Sequence, residues 1–204
     1  MSFTDLRFLL FFPAVLVLNF ILPERFRWMM LLAASYLFYM AWKPEYGLLL
    51  FLITALDFIA GYLMGKTEDP KRRKLYLIAS LAGNLGLLFY FKYFNFILAS
   101  LATGLQAVGT SAQFPVLDIL LPIGISFHVF QSISYTIDVY RHRVKPVSHF
   151  GKFALYVSFF PQLVAGPIER PDRLLQQFFE KRGFNMVMAQ EGVLLMLWGI
   201  SRKW

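Results

Sequence analysis

The chain has 204 residues, of which 58% are hydrophobic, 18% aromatic and 16% charged, against roughly 45–50% apolar and about 25% charged in soluble domains. That balance is a membrane protein's, and twenty Lys and Arg against twelve Asp and Glu, a net charge of +8, fit cytoplasmic loops better than a nucleic-acid surface. There is no cysteine, which excludes disulfide scaffolds, CxxC redox chemistry, zinc fingers and thiol nucleophiles together.

A spanning helix needs roughly 20 mostly apolar residues. Residues 6–22 are apolar apart from Arg7 and Asn19 and lack the basic start and small-residue cleavage site of a removable signal peptide, so they read as an uncleaved first span. Residues 28–42 make a shorter second span bounded by Arg25, Arg27 and Lys43. The third, 46–64, is interrupted only by Asp57, and the fourth, 75–98, is long enough to tilt. Residues 119–140 have the length of a span but carry Pro122, Gly124, Ser126, His128, Gln131 and Asp138, which no lipid-facing helix would hold. Residues 150–168 are apolar yet broken by Pro161, Gly166 and Pro167, and read as a segment that enters and returns. An incomplete helix over 188–204, ending on Ser201, Arg202, Lys203 and Trp204, follows, so the whole chain is one transmembrane region without a second domain.

Lys and Arg in short loops set the orientation. Residues 65–74 hold Lys66, Lys71, Arg72, Arg73 and Lys74, and 141–145 hold three basic residues and no acid, so both loops are expected in the cytoplasm. The intervening 99–118 has Asp118 as its single charge and is expected as a loop on the far side. Counting back puts the N-terminus outside and the aromatic run from Phe89 to Phe94 at the outer interface, where Lys92 can snorkel among tyrosines.

Polar residues within the spans are the candidates for chemistry. On a helix, Gly124, His128, Gln131, Tyr135 and Asp138 recur at i, i+4, i+7, i+11 and i+14 with Ser132 beside them, forming one polar face. Such a face lines a cavity or makes inter-helix hydrogen bonds. Asp57 lies eleven residues into its span, roughly 16 Å deep at 1.5 Å per residue, and is either a functional carboxylate or a buried group that hydrogen-bonds or pairs with a Lys or Arg of a neighbouring helix. Gln162, Glu169 and Arg170 flank the Pro and Gly breaks, where side chains and freed backbone can meet a polar ligand or cap the segment at the surface. No HExxH, GxSxG, GxxxxGK or GxGxxG occurs, and the dispersed His128, His142 and His149 have no metal-ligand spacing, so no metal is expected.

Two long strings carry more information than any short pattern: LPIGISFHVFQSISYTIDVYR over 121–141 and LYVSFFPQLVAGPIER over 155–170. Together with LLAASYLFYMAW at 31–42, LGLLFYFKYFNF at 85–96 and the closing WGISRKW, they resemble the membrane-bound O-acyltransferase (MBOAT) superfamily, in particular its alginate O-acetylase-like bacterial branch. The resemblance runs through essentially all of the chain. It implies an all-α polytopic membrane protein: part of a helical bundle with broken or re-entrant segments around a tunnel, in the bacterial cytoplasmic membrane. It further implies an acetyltransferase that takes acetyl from cytosolic acetyl-CoA, with no resident cofactor, and passes it toward an exported polysaccharide of the alginate type. Membrane lipids and an extracytoplasmic polysaccharide O-acetyltransferase are the implied partners. The family's catalytic residue is a histidine in a later segment, past the region that WGISRKW resembles, and is therefore expected beyond Trp204. No position here matches it, because His128 occupies a place where the resembling proteins carry a variable, often aromatic residue. The expectation is therefore an N-terminal portion, from a truncated gene, a fragment of a longer sequence or one half of a split enzyme, that is inactive alone. A small transporter or channel and a catalytically silent scaffold are the alternatives. The first would show inverted hydropathy symmetry, which the sequence lacks, and the second has no need of a polar face.

Overall fold

The computed structural model describes residues 6–41, 43–107, 124–162, 171–178 and 185–201. Among these residues the protein is all-α, with helices α1 (Leu6–Ile21), α2 (Glu24–Met40), α3 (Glu45–Lys66), α4 (Pro70–Ala107), α5 (Ile125–Tyr140), α6 (Phe150–Ser158), α7 (Pro171–Gln177) and α8 (Met186–Ser201). By length and composition α3 and the Pro70–Phe94 part of α4 suffice to cross a bilayer. With the outward-facing Leu48, Leu52, Ile59, Ile78, Leu85 and Phe89 of these helices, they make this an all-α membrane protein.

The helix boundaries differ from the sequence reading, α4 starting at Pro70 before the expected 75, and three of the differences have a local cause. α2 starts four residues before position 28, with Pro23 as its N-cap and Glu24 in its first turn, where proline lacks the need for a donor and an acid favours the helix dipole. Arg27 stays in the helix by turning its Nε back to Leu22 O at 3.1 Å. α4 runs on to Ala107, through part of the stretch expected to be a loop. Its Ala and Leu residues are strong helix formers, and Ser100 and Thr103 satisfy their hydroxyls on Phe96 O and Ala99 O within the helix. The last helix, expected over 188–204, begins earlier, at Met186, because Asn185 Oδ1 accepts from Val187 N at 3.0 Å and so caps the first turn. Its described part ends at Ser201, and the expected end at Trp204, with Arg202 and Lys203, lies outside the described residues.

α3, α4 and α5 pack mutually, while α6 fits between α2 and α3, with α1 against α2 and α7 against α6. Lipid tails are as apolar as leucine, so close packing and hydrogen bonds must hold such helices together. At the crossing of α3 and α5, Gly61 meets the Tyr135 ring so closely that a Cβ would lie 2.8 Å from Cε1 and 2.9 Å from the hydroxyl oxygen. A second block is aromatic: Phe160, just past α6, packs edge-on to Phe11 with centroids 5.4 Å apart and against Phe38 at 5.9 Å.

The two basic loops share one end of the bundle. Buried Arg73, at the start of α4, donates to Met64 O of α3, to Val139 O at 2.9 Å and to Tyr140 O at 3.1 Å. It thereby caps the C-terminal carbonyls of α3 and α5 at once, groups that have no partner within their own helices.

Candidate functional site

α5 carries the site. It opens at Gly124, whose φ of 76° is left-handed, a conformation that costs a residue with a Cβ but not glycine. The helix then runs for 16 residues and buries His128, Gln131, Ser132, Tyr135 and Thr136 together, while Phe130 on the other side is 50% exposed. The expected polar face therefore points into protein.

Around Asp57 three helices converge. The carboxylate on α3 is wholly enclosed and accepts from Ser80 Oγ at 2.5 Å and from Asn84 Nδ2 at 2.8 and 3.0 Å, both on α4. Ser80 Oγ is also 3.2 Å from Thr136 Oγ1 of α5. Ser132 Oγ lies beside the same carboxylate without meeting hydrogen-bond geometry. The donors to Asp57 are thus the neutral Ser80 hydroxyl and Asn84 amide. Ser80, Asn84 and Thr136 did not stand out in the sequence. The spacing of Ser80 and Asn84, one turn apart in an apolar helix, is the signal that marks them.

The other half of the face serves the broken segment. α6 is nine residues long and buries Phe153 through Ser158 on every side. Backbone groups freed at its end find no partner in lipid and must be met by protein. His128 Nδ1 lies 2.9 Å from Val157 O, Gln131 Nε2 donates to Tyr156 O at 3.0 Å, and Ser35 Oγ of α2 accepts from Phe160 N at 3.2 Å. Gln162 is drawn in as well, its Oε1 3.5 Å from Gln131 Nε2. Among the described residues, His128 Nε2, Gln131 Oε1, Ser132 Oγ and Asn84 Oδ1 are left without partners in this enclosed region. A buried polar atom in that state costs about 1–3 kcal/mol, so their clustering in one core marks a polar site rather than a packing residue.

Two candidates of the polar face have other surroundings. Tyr135 is buried against Phe153, with centroids 4.5 Å apart, and its hydroxyl oxygen accepts from Val147 N at 3.0 Å, pinning the loop after α5. Asp138 does not join the inward group. It lies in the last turn of α5, where it is half-buried and 3.9 Å from Arg143. Its carbonyl accepts from Arg143 N at 2.9 Å. Glu169 and Arg170, like Pro122, Gly166 and Pro167, lie outside the described residues. Trp204 lies outside the described residues as well. Lys92 is exposed with its ammonium 5.6 Å from the Tyr93 ring centroid, and a groove of about 800 Å³ on α8, lined by Glu191, Leu194, Leu195, Trp198 and Ser201, has no part in this site. No group of three metal-ligating side chains occurs among the described residues.

A helical membrane bundle with an enclosed polar core and a short, protein-buried helix is the class that this architecture defines. The chain is 38% identical over 198 residues to a protein of Azotobacter vinelandii named a probable alginate O-acetylase, covering 95% of the chain and 39% of that relative. It is likewise 38% identical over 195 residues to a Pseudomonas aeruginosa protein of the same name, covering 95% and 37%. A Helicobacter pylori peptidoglycan O-acetyltransferase is 32% identical over 199 residues, covering 85% and 37%. No protein-family model and no solved structure matches. The chain belongs to the membrane-bound O-acyltransferase superfamily and spans about two fifths of the length of these relatives.

Proposed function

We propose that the chain contributes to membrane O-acetylation of an exported polysaccharide of the alginate type, with acetyl-CoA on the cytosolic side as the donor. The observation that carries this reading is the similarity to acetylating relatives across 95% of the chain. Physically, a thioester attached to a charged nucleotide cannot enter lipid, so acetyl must cross within protein, through groups able to hold polar atoms away from water. The buried face of α5 and the short, buried α6 are suited to that task. In this reading the protein sits in the bacterial cytoplasmic membrane with its N-terminus outside, the two basic loops in the cytoplasm, and an extracytoplasmic O-acetyltransferase as partner. Asp57, Gln131 and Gln162 position the path, while no described residue is assigned the acyl-transfer step.

The test is a chimera in which this chain replaces the matching stretch of the Pseudomonas aeruginosa relative, expressed in a host deleted for its own acetylase. Ester-linked acetyl on the secreted polymer should return, and Gln131→Leu should lower it with little change in inserted protein. A chimera that inserts at the relative's level and yields no acetyl ester would refute the reading.

A further inference from the structure

The capping of α6 fixes the chemistry of two further atoms. Val157 O can only accept, so the hydrogen of the His128 ring sits on Nδ1, and Nε2 of the neutral ring presents a lone pair. In the same way Tyr156 O holds the amide nitrogen of Gln131, which leaves Oε1 as the free acceptor. Among the described residues both atoms lack a hydrogen-bond partner, and their residues are 1% and 0% exposed. Three positions apart on α5, the two side chains are neighbours on one face. The ring is held in orientation by Tyr39, edge-on with centroids 5.5 Å apart.

We propose that His128 Nε2 and Gln131 Oε1 form a paired acceptor site for a neutral hydrogen-bond donor, an amide N–H or a hydroxyl, brought into the bundle by a substrate. Two lone pairs repel an anion. Among the described residues the nearby carboxylates are already occupied, Asp57 by Ser80 and Asn84 and Asp138 by Arg143, so a neutral donor fits these two atoms better than a cation. Two sources carry the required chemistry, the amide-bearing arm of a coenzyme A thioester and the hydroxyls of a sugar. The site rests on the acyl-transfer reading only for the choice of these two.

The experiment uses the whole chain, labelled with ¹⁵N-histidine, in lipid nanodiscs. His142 and His149 are exposed and are assigned by substitution, so the remaining resonances report His128. The free protein should show Nδ1 protonated and Nε2 bare, and a proton on Nε2 would overturn the assignment. Addition of pantetheine or of methyl β-mannopyranoside should then move the Nε2 resonance. Movement with pantetheine alone identifies the thioester arm, movement with the mannoside alone identifies the sugar, and movement with both, each displacing the other, identifies a site open to either. No movement with either probe up to its solubility overturns the proposal. His128→Phe, checked for folding by circular dichroism, should weaken binding of the effective probe at least about tenfold, the loss of one good hydrogen bond. Undiminished binding by this variant would also overturn it, and if the variant does not fold the wild-type resonance decides. Because the readout is binding, a chimera that fails to acetylate while the resonance still moves refutes the acetylation reading and leaves the site standing.

Discussion

Arg73 offers the sharpest test of how the bundle is held. Arg73 is 7% exposed, and its guanidinium meets three carbonyls, those of Met64, Val139 and Tyr140. Arg73→Met keeps most of the aliphatic stem and removes all three donors. At about 1 kcal/mol net for each carbonyl that loses its partner, and with Val139 O keeping the His142 N–H, the variant should be less stable by about 2–3 kcal/mol, a factor of roughly thirty to a hundred or more in the unfolding equilibrium. Arg73→Lys should recover part of that, since an ammonium is a compact donor without the planar fork that spans two helix ends. Arg72→Met is the control: Arg72 is 70% exposed and 3.5 Å from Asp69, a pair worth about 0–1 kcal/mol. Reversible unfolding in mixed micelles, followed by circular dichroism against increasing SDS, measures all three. The Arg73 effect should also persist at high salt, because its partners are carbonyls and the group is buried. Equal stability of the Arg73→Met and Arg72→Met proteins would refute the clamp.

Two other expectations concern the core. Asn84→Leu strands the Asp57 carboxylate without its amide donor and should cost about 2–3 kcal/mol, whereas Asp57→Leu with Asn84→Leu removes both partners and should cost less than the sum of the two single changes; additive unfolding energies would exclude the coupling. Gly61→Ala forces a Cβ into the Tyr135 ring and should destabilise by about 1–3 kcal/mol, with faster hydrogen exchange at the Val147 amide that Tyr135 holds. Unchanged exchange there would mean that the ring moves aside freely.

What was legible in the sequence is what depends on local pattern. Apolar runs located α1 to α4, and the helical recurrence of His128, Gln131 and Tyr135 located a buried polar face, because burial leaves a periodic trace. Asp138 shares that recurrence and still turns away: after fourteen residues it has reached the last turn, where Arg143 is available. The polar residues of the 99–107 stretch suggested a loop, since composition does not reveal that Ser100 and Thr103 bond their own helix. Arg73 was beyond reach. In a run of four basic residues nothing distinguishes the one that bonds a carbonyl 66 positions away, and only the convergence of three helices selects it. Ser80 and Asn84 stand between these cases, with visible spacing but a partner, Asp57, that lies on another helix.

Topology provides a test in which the structure and the charge argument can fail separately. Arg73 joins the C-terminal ends of α3 and α5, so the loops that follow them lie on one side of the membrane whichever side that is. The absence of cysteine allows single substitutions to report without background. Thr67→Cys and Val144→Cys should behave alike toward an impermeant thiol reagent in intact cells, and Thr110→Cys should behave oppositely, since α4 separates it from Thr67. Protection of the first two and labelling of the third is expected from the basic residues of the two loops. Labelling of Thr67→Cys and Val144→Cys with protection of Thr110→Cys would reverse the orientation while leaving the fold intact. Opposite behaviour of Thr67→Cys and Val144→Cys is incompatible with one guanidinium capping both helices, and would remove the bundle itself.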